Sequence, residues 1–168
     1  ECLESLFQIT YSNYDVIIVD NGSKDESIKK IREYCEGKIK IESRFLKYSS
    51  EKKPIKIIEY EREEIEIEYG KKMETINLPS NKKLIIIKNE KNYGFAKGNN
   101  IGIKYVLKVL EVGYVLLLNN DTVVDKKFLK SGIKLMERKK EIGIITGKIF
   151  YYDDPQRIWA AGGHINLF

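Results

Sequence analysis

The chain has 168 residues, of which 42% are apolar and 33% charged, with a formal net charge of +5. That length supports one domain with a real hydrophobic core and is too short for two of ordinary size, and the composition excludes a disordered polymer. Basic residues are interleaved with acidic ones, as at Lys52-Lys53 and Glu61 to Glu64. No Lys/Arg block with interspersed aromatics forms a track for a phosphate backbone, so no nucleic-acid partner is expected. The lone histidine, His164, excludes a His-rich metal site, and Cys2 and Cys35 lack metal-ligand spacing. Both are expected to be free thiols in a reducing compartment, with Cys35 on the buried face of a helix. No signal peptide or long apolar run is present, which points to the cytoplasm; contact with the cytoplasmic face of a membrane is left to segments outside this stretch.

In chain order, residues 1–10 open inside a helical pattern, with Leu3, Leu6 and Phe7 on one face. Asp15 to Asp20 is an apolar run of the kind buried on both faces of a parallel sheet. Asn21-Gly22 turns the chain, and Ser23 with Glu26 has the spacing of a capping box that launches a helix to about Cys35. A short strand is expected at Ile39 to Ile41. Residues 43–83 break the rhythm. Ile55 to Ile57 and Ile65 to Tyr69 alternate with period two, which predicts a β-rich insert whose strands have one solvated face. Leu84 to Ile87 is a second buried strand, Ala96 to Glu111 a helix, and Tyr114 to Leu118 a further strand. Asp125 can cap a helix running to about Arg138, and Ile142 to Phe150 is predicted to return as a strand. This alternation predicts an α/β domain: a mainly parallel sheet with flanking helices, plus the insert.

Ligands of open α/β sheets bind beyond the carboxyl ends of the strands. Three polar clusters start where a buried strand is predicted to stop, so parallel strands would bring them to one crevice. In the first, Asp20, Asn21, Gly22 and Ser23, a carboxylate suited to nucleobase N–H groups precedes a sharp glycine turn. In the second, Asn89 to Asn100, Gly94 and Gly98 permit close backbone approach, while Asn92, Asn100, Lys97 and a helix N-terminus favour a diphosphate. The third, Asn119, Asn120 and Asp121, couples hydroxyl-binding amides to a hard oxygen ligand for Mg²⁺ or Mn²⁺. Taken alone, each has a plainer explanation: a capped turn, a glycine-softened helix entry, an Asn-rich turn. Their shared edge is what points to a ligand.

Read in order, the clusters resemble the family 2 glycosyltransferases of GT-A fold, and within them the rhamnosyltransferase-like branch that builds surface polysaccharides. Val19 to Ser23 with Asp25 is similar to the first nucleotide-binding motif of that family. Asn92 to Ala96 and Gly98 to Gly102 are similar to its second, and Leu118 to Asp121 stands in place of its DxD motif. The resemblance implies a Rossmann-like nucleotide-sugar-binding half spanning residues 1–168, cut short at both ends, with its first strand lying before Glu1. It implies that Asp20 contacts the base, that Gly94 to Asn100 lie near the ribose and diphosphate, and that Asp121 holds the divalent metal and is the catalytic residue present. The implied reaction moves a glycosyl group from a UDP- or dTDP-sugar to a hydroxyl of a glycan or lipid-linked acceptor, with inversion. Its general base is expected on a later, acceptor-side segment. Asn119 replaces the first acid of the DxD motif, and Asn99 stands where relatives carry arginine, which shifts phosphate contact toward Lys97 and backbone amides. Two other readings stay open: a sugar nucleotidyltransferase, and a non-catalytic module that recruits a partner through the insert or the basic surface.

Overall fold

The computed structural model describes residues 1–67, 78–79 and 82–163. The chain-order elements are helix α1 (Cys2–Leu6), strand β1 (Ile17–Asp20), helix α2 (Ser27–Cys35), strand β2 (Lys56–Glu61), helix α3 (Arg62–Ile67) and strand β3 (Lys83–Lys88), followed by helices α4 (Phe95–Val109) and α5 (Phe128–Arg138) and the short strands β4 (Ile149–Phe150) and β5 (Ile158–Ala160). β1, β3 and β2 form a wholly parallel sheet in that order, and β4 pairs antiparallel with β5.

β3 sits at the centre because its sequence suits both a ladder on each side and a layer on each face. Leu84, Ile85, Ile86 and Ile87 are all 0% exposed. By the two-residue period of a strand, Leu84 and Ile86 join Phe7, Val16, Tyr34, Cys35 and Ile55 on one face. Ile85 and Ile87 join Ile58, Tyr60, Ile65, Tyr105 and Val106 on the other. The sheet thus has α1 and α2 on one side and α3 and α4 on the other, a three-layer α/β arrangement consistent with a GT-A type fold.

The packing of α1 was not legible in its apolar spacing. Glu4 is 1% exposed, and its carboxylate accepts from Gln8 Nε2 at 2.6 Å, Tyr34 Oη at 2.8 Å and Ser49 N at 2.9 Å. It also faces the buried Lys53 Nζ at 3.4 Å, and that ammonium lies 3.6 Å from the centroid of the Tyr34 ring. Burial raises the Glu4 pKa, but the hydrogen bonds from Ser49, Gln8 and Tyr34, together with Lys53, outweigh it and hold the carboxyl below its ordinary 4.5.

Several predicted elements differ. α2 begins at Ser27 rather than beside Ser23: the Asp25 carboxylate takes the Ser27 N–H at 3.0 Å, while the Ser23 N–H goes to Asp20 Oδ1 at 3.2 Å. Ile39 to Ile41 is not a strand. The first alternating run of the expected insert is instead β2, an edge strand of the main sheet in register from Lys56↔Lys83 to Glu61↔Lys88. The alternation at Ile65 predicted a strand, yet residues 62–67 are helical; Tyr69 lies outside the described residues. The Glu64 side chain reaches back to the Glu61 N–H at 2.9 Å, half of a capping box, and Glu63 and Glu64 suit the positive helix end. Tyr114 to Leu118 forms no strand, and of residues 142–150 only Ile149 and Phe150 do. A strand needs both a ladder partner and a covering layer. Among the described residues the first of these runs has neither: Val115, Leu116 and Leu117 are 44%, 50% and 54% exposed, and no described strand pairs with the outer edge of β1. No helix among the described residues is long and apolar enough to cross a membrane.

Candidate functional site

The register of the sheet aligns the ends of all three parallel strands: Asp20 lies opposite Lys88, and Lys88 opposite Glu61. The first two polar clusters meet at this edge, and Asn21 joins them. Its Oδ1 accepts from Asn89 Nδ2 at 3.1 Å and from the Tyr93 N–H at 3.0 Å. Its Nδ2 donates to Asn92 Oδ1 at 2.9 Å and to the Gly94 carbonyl at 3.2 Å. Asn92 Oδ1 also accepts the Gly94 N–H at 2.7 Å, which locks the turn into α4. The sequence nominated Asn21, Asn92 and Gly94 as ligand contacts; in the fold they first hold each other. Asn89 was assigned no role of its own, yet it is 5% exposed and its Oδ1 is a buried acceptor without a protein partner.

Two glycines are required by this geometry. Gly22 has φ +78°, and a Cβ there would lie 2.7 Å from both the Cα and the carbonyl carbon of Lys91. Gly94 has φ +83° with open space around its missing side chain. Backbone of the β1–α2 turn therefore rests on backbone of the β3–α4 loop, and the N-terminus of the fifteen-residue α4 opens beside it. Asn99 Nδ2 donates to the Phe95 carbonyl at 3.1 Å, so it serves its own helix, and Asn100 is exposed next to it.

Electrostatically the edge is uneven. Lys88 is neutralised by Glu59 at 3.3 Å and Glu61 at 2.5 Å, and Arg32 pairs with Glu59 at 2.7 Å. Around Tyr93 three cations gather on one ring, beside the carboxylates of Glu90 and Glu63: Lys97 Nζ at 4.1 Å from the centroid, Arg62 Cζ at 4.6 Å and Lys91 Nζ at 5.4 Å. Glu90 accepts the Tyr93 hydroxyl, which pushes that phenol's pKa up. Of these cations the sequence nominated only Lys97. Arg62 and Lys91 escaped notice because each belongs to a mixed-charge run; the signal for Arg62 was that it directly follows an apolar strand.

The third cluster is placed differently. The Asn119 carbonyl accepts from Thr122 Oγ1 at 2.7 Å and from Cys2 Sγ at 3.8 Å, so this loop hangs on α1. Val124 N donates to Ser5 Oγ at 3.1 Å and extends the attachment. Asn119, Asn120 and Asp121 are exposed. No hydrogen bond or ion pair among the described residues links them to Asp20, Asn21 or Asn92. The fold joins the first two clusters and leaves the third on a neighbouring loop, in keeping with the absent ladder at residues 114–118. No three His, Cys, Asp or Glu side chains group to hold a metal among the described residues. His164 lies outside them.

The model for glycosyl transferase family 2 matches residues 1–53 and 68–167. The chain belongs to that family. No curated protein and no solved structure matches it. As a family 2 glycosyltransferase domain it acts between a nucleotide-sugar donor and an acceptor. The two matched stretches carry all three clusters, whereas residues 54–67, with β2 and the whole of α3, fall in the gap between them.

Proposed function

We propose that this glycosyltransferase takes a UDP- or dTDP-linked sugar and transfers it, with inversion, to a hydroxyl of a glycan or lipid-linked acceptor during polysaccharide or glycoconjugate synthesis in the cytoplasm. The order of its motifs favours the rhamnosyltransferase-like branch of the family. The observation that carries the donor side is the Asn21 network, which fuses the β1–α2 turn to the entry of α4 at the carboxyl edge of a parallel sheet. That fusion leaves Asp20, whose Oδ1 is engaged by a backbone N–H, at the mouth for the base, and Lys97 with the N-terminus of α4 for the diphosphate.

Asp121 fits the role of metal ligand. It is exposed and makes no hydrogen bond or ion pair with a described residue, and Mg²⁺ sites often use one or two carboxylates with substrate phosphates completing the shell. When bound, Mg²⁺ or Mn²⁺ offsets the charge that develops on the departing nucleoside diphosphate. The Asn119 and Asn120 amides beside it suit ribose or sugar hydroxyls. The acceptor's proton goes to a carboxylate base on an acceptor-side segment, not to Asp153 or Asp154, which precede Pro155 in a turn.

Calorimetric titration of UDP and dTDP, with and without Mn²⁺, on the wild type and Asp121→Ala tests this reading. Metal-dependent binding that is lost in the variant is expected. Binding by Asp121→Ala that keeps its full metal dependence removes Asp121 from the metal site.

A further inference from the structure

One side of α5 carries an inference that goes beyond the donor reading and stands without it. Residues 125–141, which are α5 and its flanks, hold seven basic and three acidic side chains, a net +4 of the chain's +5. Along the chain this excess is diluted by apolar residues; the helix sorts it. At 3.6 residues per turn, Phe128, Gly132, Ile133 and Met136 fall on one side. They are partly buried, and a Cβ at Gly132 would meet Ile145 Cδ1 at 3.0 Å, so this side faces the protein. Lys130, Lys134 and Arg138, four residues apart, run along the opposite side, with Lys126 and Lys127 at its start and Lys139 and Lys140 at its end. All seven are exposed, and none makes an ion pair with a described residue.

Like charges four apart destabilise a helix, and Lys126 and Lys127 also stand at the end where the helix dipole disfavours a cation. Of the three acids, Asp125 accepts the Lys127 N–H at 2.7 Å and Glu137 lies at the margin of the cationic side. Helix stability therefore does not account for the arrangement, whereas an anionic surface outside the chain does. We propose that α5 is a peripheral membrane contact that lays its cationic side on the headgroups of an anionic bilayer. That side carries no aromatic ring on which nucleic-acid bases could stack, while Leu135, 37% exposed, stands at its margin where it can enter the headgroup layer. The apolar side is turned to the protein, so attraction to headgroup charge dominates. Docking would also orient the third polar cluster. The stretch between Asp121 and α5 is pinned to the N-terminal segment, with Val124 N on Ser5 Oγ at 3.1 Å and Thr10 N on the Lys126 carbonyl at 2.8 Å. A bilayer under α5 would hold that loop near the surface on which a lipid-linked acceptor lies.

The test is co-sedimentation of the full chain with vesicles of phosphatidylcholine alone and of an equimolar mixture with phosphatidylglycerol. Three proteins are compared: the wild type, Lys130→Gln/Lys134→Gln/Arg138→Gln, and a control of equal charge, Lys30→Gln/Lys40→Gln/Lys56→Gln, whose residues are exposed elsewhere on the chain. Circular dichroism confirms that each is folded. The wild type should bind the mixed vesicles only and leave them in high salt. Its affinity should fall roughly 100-fold in the α5 variant and stay within about threefold in the control. Unchanged binding by the α5 variant, an equal loss in the control, or equal binding to phosphatidylcholine alone overturns the proposal. So does a wild type that leaves the mixed vesicles unbound. Duplex DNA bound as tightly as the mixed vesicles would give this side of α5 to polyanions in general, and that too overturns it. Each outcome is independent of UDP binding, so the donor site is judged separately.

Discussion

The contact between the β1–α2 turn and the β3–α4 loop can be measured through its glycines. Gly22 and Gly94 share a left-handed backbone, with φ of +78° and +83°. Replacing either by alanine introduces strain of roughly 1–2 kcal/mol, offset in both by the same small loss of unfolded-state freedom. They differ in what a Cβ would meet. At Gly94 nothing lies within 4 Å; at Gly22 the Cα and carbonyl carbon of Lys91 lie at 2.7 Å. Those are backbone atoms and cannot swing aside, so the added methyl forces the loop to move at a cost of roughly 1–3 kcal/mol. Gly22→Ala should therefore lose about 2–5 kcal/mol in all and Gly94→Ala about 1–2 kcal/mol. Urea unfolding of the wild type and both variants, followed by far-ultraviolet circular dichroism, reads the difference as a shift in midpoint at constant slope. Equal destabilisation of the two would refute the argument: the loop carrying Asn92, Tyr93 and Lys97 would then not be seated on the β1–α2 turn.

Two further predictions concern the face of the sheet that packs α1 and α2. The folded-state pKa of Glu4 lies below its unfolded value, so its stabilising contribution is present above pH 4.5 and is lost as the pH falls through the lowered value. Glu4→Gln should cost about 3 kcal/mol at pH 7, because it strands the buried Lys53 charge. It should also flatten the fall in urea midpoint between pH 7 and pH 3, and an unchanged fall would remove Glu4 from the acid response. Burial pushes the Cys35 thiol up to about 11, whereas Cys2 is only partly covered. A thiol reagent at pH 8 should accordingly modify one cysteine in the native chain and the second only in denaturant; rapid modification of both would contradict the packing of α2.

What could be read from the sequence was whatever depends on local pattern alone. Leu84 to Ile87 read as a buried strand and is one, although its central place in the sheet came only with the fold. The runs ending at Asp20 and Ile87 located two strand ends to within a residue, and with them the turns that carry Asn21, Gly22, Asn92 and Gly94. The helix from Phe95 to Val109 followed from its apolar spacing. The failures share one cause: the deciding interaction was distant, or competed with the pattern. Alternation at Ile65 favoured a strand until the Glu64 carboxylate captured the Glu61 N–H and turned the chain into a helix. The apolar run at Tyr114 to Leu118 has the composition of a strand, but no described strand edge supplies its ladder, and pattern does not report partners. The buried pair of Glu4 and Lys53 joins residues 49 positions apart, beyond the reach of any periodicity. For the same reason the site was only half legible. Its motifs lie in order along the chain, whereas the register that brings Asp20, Lys88 and Glu61 level at one edge depends on pairing between distant strands.

Register also explains why the stretch outside the family match cannot be treated as ornament. β2 lies within residues 54–67 and covers the second edge of β3 over six paired positions. Ile58 and Tyr60 from that strand pack with Ile85 and Ile87, the same residues that seat Tyr105 and Val106 of α4. Removing the segment would strip an edge from the central strand, expose part of the core beneath α4, and loosen the helix whose N-terminus frames the donor site. Loss of nucleotide binding in a chain lacking residues 54–67 would therefore follow from the packing alone, without any residue of that segment touching the ligand.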